Sequence, residues 1–288
     1  MSAKFGPAGN SDAFSAVHKS SLAAPQWIAE QGLDCYEYQC GKGVHVGEDT
    51  ARRVGENARK HGISLSLHAP YFINLANPDP DSLQKTIGYI TSACLVASQM
   101  GASRVVIHSG ALMKRTRREA LDTALRSLRE VIRTCDGQGF GHIALCPETM
   151  GKINQLGDLE EVLELCTLDE RLIPCIDFGH LYARSLGADD GAEAFGGMLD
   201  RVESVLGQST ASVFHSHFSH IQFTPGGGEK CHRTFDDDDG YGPDWAPLAR
   251  AIARRGWSPT FICESAGTQA KDALTMKRIY QEVLTAQE

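Results

Sequence analysis

Short apolar runs in this chain stop, one after another, at imidazole or carboxylate side chains. Ser64-Leu65-Ser66-Leu67 ends in His68, Val105-Val106-Ile107 in His108, and Ile143-Ala144-Leu145-Cys146-Pro147 in Glu148. Ile173-Pro174-Cys175-Ile176 ends in Asp177, with His180 three residues on. Ser212-Val213-Phe214 leads into His215-Ser216-His217, and Phe261-Ile262-Cys263 ends in Glu264. Each has an ordinary explanation taken singly: a histidine after a strand hydrogen-bonds to a loop, and an acidic residue there caps the next helix. Taken together, imidazoles and carboxylates gathered in one place need compensating charge. A divalent ion supplies it, and His, Asp and Glu in combination suit Zn2+, Mn2+ or Fe2+. A glutamate such as Glu148 also reaches far enough to bridge two ions. Cys146 and Cys263 fall within their runs rather than at the ends, so thiolate ligation is not expected.

For these residues to meet, the elements carrying them must be parallel neighbours. The rhythm of the chain predicts strands at Lys4–Gly6, Leu33–Gln39, Ile63–His68, Arg104–His108, Ile143–Glu148, Leu172–Asp177, Val213–Phe218 and Phe261–Glu264. Helix-like segments alternate with them at Gly47–His61, Asp81–Gly101, Thr116–Asp136, Leu156–Cys166, Ala192–Leu206, Asp244–Arg255 and Ala270–Thr285. Such alternation is the pattern of βα units on a parallel sheet. The 288 residues hold no composition break, and α/β barrels run to about 250 residues. The expected fold is therefore an α/β (β/α)8 TIM barrel, a single domain over residues 1–288, with the strand-end residues sharing the C-terminal face. Gly6-Pro7-Ala8-Gly9-Asn10 is not the G-x-G-x-x-G loop of an open dinucleotide-binding sheet, which weighs against that alternative.

Composition narrows the setting. With 42% hydrophobic and 22% charged residues the chain can bury a sizeable core. No apolar run approaches the ~18–20 residues of a membrane helix, and Met1-Ser2-Ala3-Lys4-Phe5-Gly6 has no secretory h-region, so no membrane association is expected. The nine cysteines are scattered without a C-x-x-C pair, which suits reduced thiols in a cytoplasmic protein. A formal net charge of −8 argues against a broad basic surface, but not against a local basic cleft or against bound metal ions.

The segment His68-Ala69-Pro70-Tyr71-Phe72-Ile73-Asn74-Leu75-Ala76 resembles the signature of the endonuclease IV family, zinc-dependent apurinic/apyrimidinic endonucleases. Val106-Ile107-His108-Ser109-Gly110, Glu148-Thr149-Met150-Gly151, Asp177-Phe178-Gly179-His180 and Phe261-Ile262-Cys263-Glu264-Ser265 resemble further motifs of that family, in the same order. The resemblance implies a TIM barrel with two or three metal ions, Zn2+ foremost. It places His68 and His108 on one ion, bridged by Glu148 to a second completed by Asp177, His217 and Glu264. His180 would hold a third with Glu229 and His232, which stand three residues apart where the family has an Asp and a His two apart. His215 and His220 are rivals for His217. The implied activity is metal-dependent hydrolysis of damaged double-stranded DNA on the 5′ side of an abasic site, in base excision repair, with no organic cofactor.

The chemistry suits that assignment. Negative charge grows on the attacking and leaving oxygens of a phosphodiester, and closely spaced metals stabilise it. Glu148 and Glu264 are the catalytic candidates: Glu148 as the bridge, Glu264 to position or deprotonate water. Tyr71 and Phe72 are candidate wedges that unstack DNA at a lesion, or else pack beneath their loop. Lys114 and Arg115, in Lys114-Arg115-Thr116-Arg117-Arg118, are candidate phosphate contacts, or else belong to a solvated first helical turn. Three features depart from the family. Tyr38-Gln39-Cys40-Gly41-Lys42-Gly43 replaces an Asn- and Arg-containing segment, Pro147 precedes Glu148, and the acidic run Asp236–Asp239 follows His232. They mark a divergent branch.

Two other readings compete. A sugar isomerase or epimerase would use Glu148, Asp177, His217 and Glu264 around a single ion, which leaves His68, His108 and His180 without a task. A non-catalytic lesion-binding protein would have no need of the intact ligand positions.

Overall fold

A computed structural model of the protein describes residues 2–286. The eight predicted strands form one parallel sheet curled into a TIM barrel. They are β1 (Lys4–Pro7), β2 (Cys35–Gln39), β3 (Ser64–His68), β4 (Arg104–His108), β5 (Ala144–Glu148), β6 (Cys175–Asp177) and β7 (His215–Phe218). A hairpin of β8 (His220–Thr224) and β9 (Gly228–Arg233) follows, and β10 (Thr260–Cys263) is the eighth barrel strand. Each is hydrogen-bonded to its neighbour in the order β1-β10-β7-β6-β5-β4-β3-β2. The barrel closes between β1 and β2: Asp34 N–H donates to Phe5 O and Gly9 N–H to Glu37 O, both at 2.9 Å. Gly6 permits this approach, since a Cβ there would lie 1.8 Å from Cys35 O.

The helices lie outside, burying one face each. They are α1 (Asp12–Val17), α2 (Ala24–Glu30), α3 (Glu48–His61), α4 (Pro80–Met100), α5 (Arg117–Gly137), α6 (Leu159–Cys166), α7 (Phe178–Arg184), α8 (Gly191–Ala211), α9 (Trp245–Arg255) and α10 (Gln269–Thr285). Their boundaries have local causes. Thr116 and Glu119 form a capping box at the start of α5, as Asp158 and Glu161 do at α6. Gly62 and Gly101, both left-handed, end α3 and α4. Gly207, at φ 75°, interrupts α8 directly after Leu206, where the sequence predicts the helix to end. Three things differ from expectation. Residues 12–30, unassigned from sequence, hold α1 and α2. The hairpin β8–β9 and the short α7 are additions. The sixth strand spans only Cys175–Asp177, because Leu172 turns back to Asp169 O and Pro174 has no N–H for a ladder. Among the described residues no helix is long and apolar enough to cross a membrane.

The inside of the barrel combines polar side chains with apolar ones such as Val106, Cys146, Cys175 and Ile262. Side chains alternate along a strand, and one face of β2 carries Glu37 and Gln39, of β3 Ser66 and His68, of β7 His215 and His217. The barrel therefore holds a column of polar groups that widens into a cleft at the C-terminal ends of the strands.

Candidate metal centre

The strand-end residues converge as their register requires. His108 on β4 is level with Glu148 on β5, and Asp177 on β6 with His217 on β7. Glu148 is the centre of the group and is buried. Its Oε2 lies 3.3 Å from Nε2 of both His68 and His108. Its Oε1 lies 2.8 Å from His217 Nδ1 and 3.7 Å from His180 Nδ1. Glu264, just past β10 and held by its N–H to Phe218 O, brings Oε2 to 3.5 Å from His217 Nδ1. Ligand atoms of Glu148, Asp177, His217 and Glu264 all lie within 4.8 Å of one another, as do those of His68, Glu148 and His217 and those of His180, His232 and Glu264.

The hairpin delivers the last two residues by a β-bulge. In β8–β9, Phe223 is level with Glu229 and Ile221 with His232, while Lys230 is the extra residue of the bulged strand. A regular strand would put Glu229 and His232 on opposite faces, because three residues is an odd step. The bulge restores them to one side. Glu229 Oε2 then lies 3.6 Å from His180 Nε2, and the His232 and His180 rings are 5.7 Å apart. Gly151 makes room, since a Cβ there would stand 2.6 Å from Glu229 Cβ and 3.0 Å from the His180 ring.

The donor set fits divalent metal on two observations. Asp177 Oδ1 caps α7 through His180 N–H at 2.8 Å, whereas the fully buried Asp177 Oδ2 has no hydrogen-bond partner among the described residues. His180 Nδ1, 3.3 Å from that oxygen, already donates to Thr149 O at 2.8 Å. An anionic oxygen left bare in a barrel interior needs a cation. The imidazoles are also set to coordinate. His68 Nδ1 donates to Ala69 O at 2.8 Å, which leaves Nε2, 3.3 Å from Glu148 Oε2, as the nitrogen that an ion would take in place of its proton. His180 is fixed likewise, its Nε2 turned toward Glu229.

Without metal the charges settle among themselves. Burial pushes Glu148 up, but His217, His108 and His68 hold it well below the usual carboxylate range. Glu264 is brought down to about 2, because His217 above all outweighs its burial. Asp177 goes the other way, raised by burial and by Glu264 and Glu148. Burial disfavours the His180 cation, yet Asp177, Glu229, Glu148 and Glu264 lift it to about 9. His217 is raised well above the ordinary histidine value against its burial, by Cys175, Glu264, Glu37 and Glu148.

The rivals of His217 stand elsewhere. His215 lies deeper in the barrel, bonded through Nε2 to Glu37 at 2.9 Å. His220 sits on the hairpin, stacked on Phe235 at 4.6 Å. Glu37 was not anticipated. It is fully buried on β2 and accepts from His217, His215, Ser66 and Gln39. The signal that would have found it is a charged residue in the middle of the run Cys35-Tyr36-Glu37-Tyr38.

The structure separates the other paired candidates. Tyr71 lines a cleft of about 590 Å3 together with His68, His108, Lys152, Gln155 and Gln269. It is half exposed, stacks on His108 with centroids 5.3 Å apart, and meets His68 edge-on. Phe72 faces away, into an outer groove with Val44, Val46 and Tyr89. Lys114 is exposed and outside the cleft lining. Arg115, just ahead of α5, ties that helix to the loop after β3 through Thr123 Oγ1 and Ala76 O. Arg117 and Arg118 are paired with Glu161 and with Glu164 and Asp122. The acidic run Asp236–Asp239 is engaged by Lys271 and Arg233 and does not line the cleft.

A (β/α)8 barrel with imidazoles and carboxylates converging at the C-terminal ends of its strands is the architecture of an enzyme. The chain matches the xylose isomerase-like TIM barrel family over residues 25–282 and belongs to it. It is 30% identical over 256 residues to the uncharacterised protein MJ0133 of Methanocaldococcus jannaschii, covering 89% of this chain and 90% of that protein. It is 30% identical over 156 residues to the probable endonuclease 4 of Mycoplasma genitalium, covering 52% of this chain and only 50% of that relative. Among solved structures, a D-tagatose 3-epimerase-like protein superposes with a TM-score of 0.73 at 18% identity, covering 99% of both chains. Endonuclease IV of Thermus thermophilus superposes with a TM-score of 0.66 at 17% identity, covering 98% of this chain and 99% of that one. At such identities the two structures speak to the fold.

Proposed function

We propose that the protein is a zinc-dependent phosphodiester hydrolase of the endonuclease IV kind, nicking damaged double-stranded DNA 5′ to abasic sites in the cytoplasm. The observation that carries this reading is the size of the ligand set. His68, His108, Glu148, Asp177, His180, His217, Glu229, His232 and Glu264 crowd one cleft, and a single ion has no use for so many. His68 and His108 would hold one ion, Asp177, His217 and Glu264 a second with Glu148 between the two, and His180, Glu229 and His232 a third. Bound ions would supply positive charge to the phosphate oxygens and acidify water. Glu148 would fix the spacing of the first two groups, since it touches imidazoles from β3, β4 and β7. Glu264 is open to the cleft and ionised, so it can orient a water and take its proton. Tyr71 walls the cleft beside His108, where an extrahelical sugar or a flanking base would stack. Lys152, exposed at the rim, is placed to meet a phosphate.

The quartet Glu148, Asp177, His217 and Glu264 would also serve an epimerase with one ion, two carboxylates moving a proton beside a sugar carbonyl. One experiment divides the readings: metal stoichiometry by elemental mass spectrometry, with nicking of abasic and intact duplexes measured on the same preparation. Two or three ions per chain with abasic-specific nicking is the expected result. One ion per chain after reconstitution, with turnover of a ketose and no nicking, would replace this reading by the epimerase.

A further inference from the structure

We propose that Glu37 is a positioning residue that presents His217 to a metal ion, by accepting its Nε2 proton and leaving Nδ1 bare toward Glu148, Asp177 and Glu264. The inference rests on the metal-binding part of the proposed function and not on its substrate.

The geometry is specific. Glu37 Oε1 lies 2.9 Å from His217 Nε2, on the side of the ring opposite the ligand cluster, while Nδ1 points at Glu148 Oε1 at 2.8 Å. Both ring nitrogens face a carboxylate, so the metal-free ring carries both protons; an ion bound among Glu148, Asp177 and Glu264 would displace the one on Nδ1, while Glu37, which can only accept, would keep the one on Nε2. Glu37 is itself held from three sides. Ser66 Oγ, its register neighbour on β3, donates to Oε2 at 2.8 Å. His215 Nε2 lies 2.9 Å from the same oxygen, and Gln39 Nε2 donates to Oε1 at 3.2 Å. His215 is oriented in turn by Arg104, whose guanidinium lies 3.5 Å from Nδ1 and is clamped on Val213 O at 2.8 Å.

Glu37 contrasts with the acceptors behind the neighbouring ligands. His68 and His180 are each backed by a neutral backbone carbonyl, of Ala69 and of Thr149. Behind His217 a carboxylate stands at hydrogen-bond distance, 2.9 Å from the nitrogen turned away from the cluster. An acceptor of that kind fixes the tautomer and makes the ring a stronger donor to metal. It also accounts for a wholly buried carboxylate in the barrel, which is costly unless a cation sits nearby. The cation nearest in function is the one His217 would hold.

The test uses full-length protein and Zn2+ or Co2+ alone. In Glu37→Gln, Zn2+ affinity measured by chelator competition should fall about 10–100-fold at the tightest group, and the visible spectrum of the Co2+-loaded protein should shift. Thermal midpoints of the metal-free proteins serve as the control for a merely structural effect. In zinc-loaded wild type, nitrogen NMR of labelled histidines should find the His217 proton on Nε2. A His217 proton on Nδ1, or a folded Glu37→Gln variant with wild-type Zn2+ affinity and Co2+ spectrum, overturns the inference and leaves the proposed function standing. Should Glu37→Gln not fold, the wild-type tautomer decides. Wild-type protein that binds no Zn2+ fails the proposed function itself.

Discussion

Removing the divalent ions should reverse the sign of the pH dependence of stability. In the metal-free protein His180 is lifted from 6.5 to about 9. A raised histidine contributes stability that is fully present below its unfolded value and disappears as pH climbs through its folded value. With one pH unit equal to about 1.36 kcal/mol, His180 alone loses about 2 kcal/mol between pH 6 and pH 8. His217, also raised, adds in the same direction. His215, lowered to about 4 by burial, and His220, also lowered, work against them, because their unfolded forms take up protons near pH 6. Each of these two offsets up to about 1 kcal/mol. Glu264, Glu148 and Glu37, all held low, stay ionised across the interval and add no slope. His68, also raised, adds to the loss, and the net expectation is a fall in stability from pH 6 to pH 8. Metal inverts this. Ligating histidines are neutral in the loaded protein and protonate only when unfolded, so stability rises over the same interval by roughly 1 kcal/mol per histidine. Urea unfolding of chelator-stripped and zinc-loaded protein at pH 6, 7 and 8, with reductant and constant ionic strength, measures both slopes. Buried cysteines, which ionise at about 8.5 once unfolded, lower stability by about 0.2 kcal/mol each at pH 8, equally in both preparations, so they leave the difference between the two slopes unchanged. Slopes of the same sign, or a metal-free protein that gains stability with pH, would refute the charge assignment in the cleft.

Three further outcomes are expected. Glu148→Gln should lower metal content and reduce nicking by several orders of magnitude with the fold retained, as circular dichroism and elemental analysis would show; near-normal nicking at full metal content would remove Glu148 from the mechanism. Deleting Lys230 should leave the His180–Glu229–His232 group able to bind zinc, because a regular strand sets residues two apart on one face, whereas His232→Ala should cost one ion per chain; loss of that ion on the deletion contradicts the bulge. Tyr71→Ala should weaken binding to abasic duplex by about five- to 160-fold, from about 1–3 kcal/mol of lost stacking, while Phe72→Ala changes it less than about threefold because Phe72 faces the outer groove; equal losses in the two variants at one salt concentration would undo that separation.

Much of the centre was legible in one dimension. A barrel strand ends where its apolar run ends, so the residue that follows is at the mouth whatever the rest of the chain does. That is why His68, His108, Glu148, Asp177 and Glu264 could be read directly from their runs, and His180 from its place one helical turn after Asp177. The eight-strand rhythm likewise followed from local pattern, because alternation of apolar runs with amphipathic helices is a property of neighbouring residues.

What tertiary structure alone decided was every choice that depends on parity or on a partner far away in the chain. His215 and His217 share a face of β7, and nothing local ranks them. His215 lies about 6–7 Å deeper along the strand, where Glu37, 178 positions distant in sequence, claims its Nε2. The spacing of Glu229 and His232 argues against a common site until the bulge at Lys230 is known, and a bulge is a feature of strand pairing rather than of one strand. Arg115 reads as a free cation at the start of a helix, yet it is committed to Ala76 O, on a loop the sequence places 39 residues away. Glu37 was missed for the same reason: its partners lie on β3 and β7, and a buried charge takes its meaning from partners that only the closing of the barrel brings within reach.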